Sequence, residues 1–462
     1  MSFLIKIFYL LLSISTVFTI SEYFPDAMTD AKWYSALGIL IVVIFLLALY
    51  LLNYKERSLV VKYNFPECIE IITVIICTIQ VLLFLLARLD ITPNYQHTYG
   101  SFDTVTGFVS CISISMPLGI RLWIKMSKWK KVLFVICKLT CVMAIIIVES
   151  RTGILCVIMC GLMLFFRKLN TGLIWGILFF ILAIIILFVF FKFESSQGRW
   201  FICCMTLKMI SQKPLTGWGI NGFEAHYMNI QADFFEKNEN NENYIFADNI
   251  LHPLNEFLNI TVDFGFIGLG ILILSIIFII YINYHNRNED ICLGIQILVC
   301  IGILSMFSYP FDYPFSWLML VFSLIIILKR FILSHSHLIG LILLCFLPIY
   351  GYSFFNKLSY ILEYKQLYNK ASYGMFDQVR YRYEQLYPYL KNDPRFLYNY
   401  ASELNEIGEY EKALSVAIEC RKILADYDLC LLIGDIAYNL NYLSIALMKL
   451  RKECNLLEMS VG

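Results

Sequence analysis

Apolar runs of about 20 residues, the length a helix needs to cross roughly 30 Å of hydrocarbon, recur along this chain and constrain it more than any other feature. Eleven occupy residues 3–20, 33–52, 69–87, 104–123, 131–148, 152–166, 172–191, 264–282, 291–307, 314–328 and 338–354. Within a bilayer every backbone N–H and C=O must be satisfied inside the protein, and continuous apolar runs of this length do so as helices. With 59% hydrophobic and only 15% charged residues and a mean hydropathy of +0.70, a soluble globular fold is excluded. The expected fold is all-α, a polytopic transmembrane helical bundle. Lys6 followed by an apolar stretch has the look of a signal peptide, but the run is long and no clean cleavage site follows, so a retained first helix is expected. Most of the fifteen cysteines, among them Cys77, Cys111, Cys156, Cys160 and Cys300, fall inside the apolar runs, where cysteine acts as a small hydrophobe. No disulfide framework or metal cage is expected.

Lysine and arginine collect in cytoplasmic loops. With the N-terminus in the cytoplasm, the loops on that side hold thirteen basic residues, including Lys55, Arg57, Arg121, Lys125, Lys329 and Arg330, whereas the short loops opposite hold only Lys32, Arg88 and Arg151. This orientation puts a long polar loop, residues 192–263, and the tail after residue 354 on the periplasmic side of a bacterial inner membrane. The expected domains are therefore 1–354, transmembrane with its loop, and 355–462, periplasmic. The formal net charge of +1, from 36 Lys and Arg against 35 Asp and Glu, gives no basic surplus for a nucleic-acid partner.

In the tail, helical periodicity replaces continuous apolar runs. Within 394–428, Tyr400, Ala401, Gly408, Tyr410, Ala413 and Ala417 resemble one tetratricopeptide repeat, in which a turn glycine lets two antiparallel helices pack closely. A weaker copy follows, with Ala446 lying 33 residues after Ala413 and Asn441 at the turn, and a degenerate unit precedes it over 358–393. Such repeats present a surface to a peptide or protein partner. The plainer reading is generic helical hairpins covering the membrane domain.

Three polar positions are candidates for chemistry. Arg151, in Glu149-Ser150-Arg151-Thr152-Gly153, opposes the charge bias that orients the chain and sits at a helix mouth. A guanidinium there offers a planar fork of donors to phosphate oxygens, although snorkelling or a pair with Glu149 would also explain it. The loop opens on Gly198-Arg199-Trp200 and breaks at residues 214–223, where Pro214, Gly217, Gly219 and Gly222 punctuate the chain. Glycine turns bring backbone N–H groups close to a ligand, but they do so in many unrelated proteins. Residues 237–243 are polar low complexity, read as a surface loop. The loop ends on His252-Pro253-Leu254-Asn255-Glu256 and enters the membrane at Asp263-Phe264-Gly265. Of the histidines, His97, His226 and His252 lie outside in this topology, and a histidine near a head group can take a proton near neutral pH. A lone histidine is nevertheless more often structural.

In order and on one side of the membrane, Ser150-Arg151-Thr152-Gly153, Gly198-Arg199-Trp200 with Pro214-Leu215-Thr216-Gly217-Trp218-Gly219, and the passage from His252 to Gly268 resemble the O-antigen ligase and polymerase family of polytopic glycosyltransferases. Tyr99-Gly100-Ser101-Phe102 and the turn Tyr309-Pro310-Phe311-Asp312-Tyr313-Pro314 add to it, and the resemblance covers about residues 99–328. It implies a glycan donor carried on undecaprenyl pyrophosphate and transfer to an acceptor hydroxyl on lipid A-core, a growing glycan or a protein, without nucleotide sugar, metal or other cofactor. It also implies that Arg151 and Arg199 bind the pyrophosphate, with Gly217, Gly219, Asn255 and Glu256 lining the site, and that the late-loop histidine, His252, is the base. Two fixed cations would offset charge growing on the leaving group, and attack from the opposite face would invert the anomeric carbon. Many relatives place histidine directly before the asparagine; here Leu254 stands there, so Glu256 or His226 are alternative bases.

A transporter would show ionisable groups deep in its spans and repeated topology, yet Lys138 is the main mid-span charge and no repeat is evident among the spans. A membrane-anchored scaffold would not need eleven spans or an arginine-bearing loop.

Overall fold

The computed structural model describes residues 2–53, 65–89, 99–165, 193–238, 242–283 and 288–440. The expected span 172–191, His97, and the second tail repeat with Asn441 and Ala446 lie outside the described residues. The fold is all-α, with no strand among the described residues. Its helices are α1 (Ser2–Phe18), α2 (Thr29–Leu52), α3 (Phe65–Arg88), α4 (Val105–Ser115), α5 (Lys128–Ile147), α6 (Arg151–Phe165), α7 (Phe193–Gln212), α8 (Gly222–Lys237), α9 (Glu256–Asn283), α10 (Glu289–Phe307), α11 (Pro314–Ile327), α12 (Lys329–Ser334), α13 (Ser336–Ala371), α14 (Phe376–Leu390), α15 (Pro394–Glu406), α16 (Tyr410–Arg421) and α17 (Tyr427–Asn439). Among the described residues, five are long and apolar enough to cross a membrane: Thr29–Leu52, Glu67–Arg88, Glu256–Tyr281, Glu289–Phe307 and Ser336–Ala371. Shorter apolar helices accompany them, as expected of a multi-pass membrane protein.

Two expected helix boundaries shift for identifiable reasons. The apolar run 104–123 is helical only over Val105–Ser115, because Pro117 cannot continue the hydrogen-bond ladder and Gly119 adopts φ +81°. The run 338–354 is the first half of a single 36-residue helix, α13, so the change from apolar to polar composition near residue 355 falls inside a helix, not at its end.

The chain divides into two compact units, Met1–Phe179 with Ile277–Leu358, and Phe180–Ile276 with Ser359–Gly462. The loop and the tail thus share one unit. In the first, α3, α4, α5, α6, α10 and α11 enclose a core containing Phe84, Phe108, Ile112, Ile145, Leu304 and Met319. Cysteines here are free thiols packed as expected of small hydrophobes, with Cys160 Sγ 3.3 Å from Cys300 Sγ. The charged groups of this core have partners, since an unmatched one is costly, although the hydroxyls of Ser110, Ser113, Ser305 and Ser316 have no hydrogen-bond partner among the described residues. Glu70, fully buried, accepts from the Gly119 N–H at 2.9 Å and pairs with Arg121, which also meets Asp290. Lys138, the mid-span lysine, donates to the Ser115 carbonyl at 2.8 Å.

The second unit has its own core, Phe201, Met209, Phe223, Tyr227, Phe235 and Val262, and stacked helical hairpins in the tail. Gly408, at φ +82°, makes the turn between α15 and α16, and Tyr400, Ala401, Ala413 and Ala417 are buried. Asp393 caps α15, accepting from the Arg395 and Phe396 N–H groups at 3.0 and 3.4 Å. Asp393→Ala should therefore cost about 1 kcal/mol, read as a lowered thermal midpoint; an unchanged midpoint would show that water replaces the cap.

Candidate functional site

In the second unit, a break in α9 is the organising feature. Gly265 interrupts the helix at φ +65°, ψ −166°, a region open essentially to glycine alone. A straight helix would bond the N–H groups of Phe266 and Ile267 to the carbonyls of Val262 and Asp263. Instead those N–H groups donate to the carbonyls of Pro214 and Leu215 at 2.8 and 3.4 Å. The released carbonyls of Val262 and Asp263 accept from Trp218 and Gly219 at 2.7 and 3.0 Å. Two lost helical bonds become four bonds to the Pro214–Gly219 turn, so the break leaves no orphaned backbone at these positions.

Glycines make this fit possible. A Cβ on Gly217, itself at φ +70°, would lie 2.5 Å from the Asp263 backbone, and one on Gly265 would lie 2.1 Å from the Leu215 carbonyl oxygen. Gly219, at φ +94°, has nothing within 4 Å of a Cβ and is exposed. Gly217 therefore serves backbone contact, while Gly219 stays open. The Asp263 carboxylate closes the clasp by accepting from the Gly222 N–H at 3.0 Å, at the start of α8.

On α8, His226 packs against Trp218 with ring centroids 4.5 Å apart, and Lys213 Nζ stands 4.0 Å from the Trp218 ring centroid, a cation–π distance. The Trp218 indole N–H is fixed on the Met209 carbonyl at 3.0 Å. Burial, then the positive charges of Lys213 and Arg421, lower the proton affinity of His226 below its ordinary pKa of 6.5. The folded state therefore favours the neutral ring, and stability should fall as pH drops through 6.5 and level off below the depressed value. His226→Asn should flatten that part of a thermal-midpoint titration between pH 7.5 and 5; an unchanged slope would assign the pH response to other groups.

The late loop meets α9 beside this clasp in sequence. Leu254 adopts φ +54°, and Asn255 Oδ1 caps α9 by accepting from the Leu258 N–H at 3.0 Å, a standard helix N-terminal bond. Glu256 is in the first turn of α9, where a carboxylate favours the helix dipole. His252 is half-buried two residues before the left-handed Leu254. Arg199 is exposed on α7, beside exposed Trp200 and buried Phe201.

Arg151 belongs to the first unit and opens α6. Ser150 Oγ accepts from the Gly153 N–H at 3.2 Å, and a Cβ on Gly153 would meet Ile145 at 2.7 Å and Val109 at 3.0 Å. The serine therefore caps, the glycine lets α6 pack against α4 and α5, and Glu149 holds a left-handed φ of 54° ahead of them. Tyr99-Gly100-Ser101-Phe102, also in this unit, is a clamped turn. Lys32, fully buried, donates to the Ser101 carbonyl at 2.6 Å, and Gln80 donates to the Tyr99 carbonyl at 3.0 Å. Tyr313, from the second such turn, packs edge-on against Phe102 at 5.5 Å and donates to Asp103 at 3.2 Å.

Residues 136–273 match the family model described as O-Antigen ligase. That interval contains Arg151, Arg199, the Pro214–Gly219 turn, His226, His252, Asn255, Glu256 and the α9 break. Over these residues the chain is similar to an O-antigen ligase domain. A search of curated proteins gives no match. At the coarse level the O-antigen ligase match supports glycan transfer in a multi-pass membrane protein. Lys213, Asp263 and Arg421 were not among the sequence candidates. Lys213 borders one of the quoted motifs and Asp263 lies within another, but Arg421 lies 192 residues from the Asn229 it contacts, beyond the reach of any local pattern.

Proposed function

We propose that the protein transfers a glycan from undecaprenyl pyrophosphate to an acceptor hydroxyl at the periplasmic face of the inner membrane, with lipid A-core, a growing glycan or a protein as acceptor. The observation carrying this reading is the O-antigen ligase match over residues 136–273, which spans every candidate site residue. Arg151 and Arg199 grip the pyrophosphate and offset the charge that develops as the anomeric bond breaks. His252 takes the acceptor proton, and attack opposite the leaving group inverts the anomeric carbon. Asn255 and Glu256 set the start of α9 and thereby the direction of the His252 loop. Gly217 and Gly219 shape the turn that seats in the α9 break. No metal, nucleotide sugar or other cofactor takes part in this scheme. The mid-span Lys138, engaged by a backbone carbonyl, favours this reading over a transporter.

The test is to supply purified protein in lipid with an undecaprenyl-pyrophosphate oligosaccharide and candidate acceptors. Covalent transfer with anomeric inversion is expected, with His252→Ala slowed by about 10²–10⁴-fold, the usual range for a general base. Movement of the donor across a vesicle without covalent transfer would replace this reading with a transporter. Undiminished turnover in His252→Ala would move the base to Glu256 or His226.

A further inference from the structure

The tail is docked on the loop through specific polar contacts within the second unit. The Ala425 N–H donates to the Glu224 carbonyl on α8 at 2.8 Å. Arg421 bonds the Asn229 side chain, and Asn249 bonds Asp426. Asn229 lies three residues after His226 on α8, which places both on one face of that helix. Arg421 of the tail thereby joins Lys213 and His226 of the loop near Trp218, and the positive fields of both cations reach His226. Two carboxylates of this unit hold backbone N–H groups. Asp263 accepts from Gly222, and Asp426 accepts from the Asp428 N–H at 2.8 Å as the cap of α17.

We propose that the tail is part of the substrate-handling surface: Arg421 and Lys213 form a two-cation clamp beside Trp218 and His226 that receives an oxyanion, carboxylate or phosphate, carried by the glycan substrate. This deepens the transferase reading and rests on it for the identity of the substrate. Two cations close to an aromatic residue suit a sugar ring bearing a negative group. The ring offers apolar surface, and the guanidinium offers directed, charge-assisted hydrogen bonds. Lys213 is exposed, whereas Arg421 and Trp218 are half-buried, so the clamp has one fixed side and one adaptable side.

The experiment uses the full chain in lipid nanodiscs. Binding is measured for a glucuronate-bearing oligosaccharide, its uncharged counterpart and undecaprenyl pyrophosphate, with thermal midpoints recorded in parallel. Arg421→Gln and Lys213→Gln should each weaken the acidic oligosaccharide about tenfold, the scale of one charge-assisted contact. Binding of the uncharged oligosaccharide should not change, and Arg421→Lys should recover much of the loss. If the lipid pyrophosphate weakens while the acidic oligosaccharide does not, the clamp stands and its oxyanion is the donor's phosphate. Unchanged affinity for both anions overturns the proposal, as does equal weakening of charged and uncharged sugars, which would mark Arg421 as packing alone. Because binding is read without turnover, a protein that transfers nothing yet still shows this anion selectivity would sink the transferase reading and leave the clamp intact.

Discussion

Gly265→Ala should destabilise the protein by several kcal/mol and abolish activity, whereas Gly270→Ala, five residues further along the same helix, should be nearly neutral. The contrast follows from backbone geometry. At Gly265 a new Cβ would stand 2.1 Å from the Leu215 oxygen, 2.3 Å from its carbonyl carbon and 2.7 Å from the Thr216 nitrogen. All three are main-chain atoms that cannot rotate aside. The φ of +65° with ψ −166° adds about 1–3 kcal/mol of strain for any L side chain. Relief by straightening α9 would restore the two helical bonds but expel the Pro214–Gly219 turn, losing four hydrogen bonds and the seat of Trp218. At Gly270 nothing lies within 4 Å and the backbone is helical, so alanine there should gain the usual helix preference. Thermal unfolding compares the two variants, and limited proteolysis between residues 213 and 222 reports release of the turn. A Gly265→Ala protein that keeps wild-type stability and resists proteolysis there would show that the break in α9 is not held by this clasp.

The same clasp separates what was legible in the sequence from what was not. Hydropathy marks the spans because each buries its own backbone, a local property that a run of apolar residues announces. The premature end of α4 is equally local once Pro117 and Gly119 are given their backbone preferences. The glycines of the 214–223 segment were legible as a turn. Their counterpart in α9 was not, since the pairing is backbone to backbone across more than forty residues and demands only the absence of side chains at Gly217 and Gly265. Docking of the tail on α8 rests on a few polar pairs such as Arg421 with Asn229, which impose no periodicity on either segment. The tail could therefore be read as helical hairpins from Tyr400, Ala401, Gly408 and Ala413, while its attachment to the loop left no trace. Asn255, read as lining a site, also proves to be the cap of α9, a role that Asn directly before a helical run fits well.

Replacing Arg151 or Arg199 by alanine should lower glycan transfer by about 10²–10³-fold, the effect of removing one fixed donor from a developing negative charge, with little loss of stability. Stability and activity should separate for different reasons at the two positions. Arg199 is exposed on α7, and exposed substitutions usually fall within about 0.5 kcal/mol. Arg151 occupies the first residue of α6, where the positive end of the helix dipole disfavours a cation by about 0.3–1 kcal/mol. The local fold there is held by the Ser150 cap and by the close packing at Gly153, neither of which needs the guanidinium. Arg→Lys at either site retains the charge but loses the planar fork, so transfer should fall between wild type and alanine, and by more with the pyrophosphate donor than a point-charge role would allow. The decisive protein is the double alanine variant, checked for folding by its thermal midpoint and assayed with the lipid-linked donor. Wild-type turnover in that protein would remove both arginines from the chemistry and, with them, the proposed handling of the pyrophosphate.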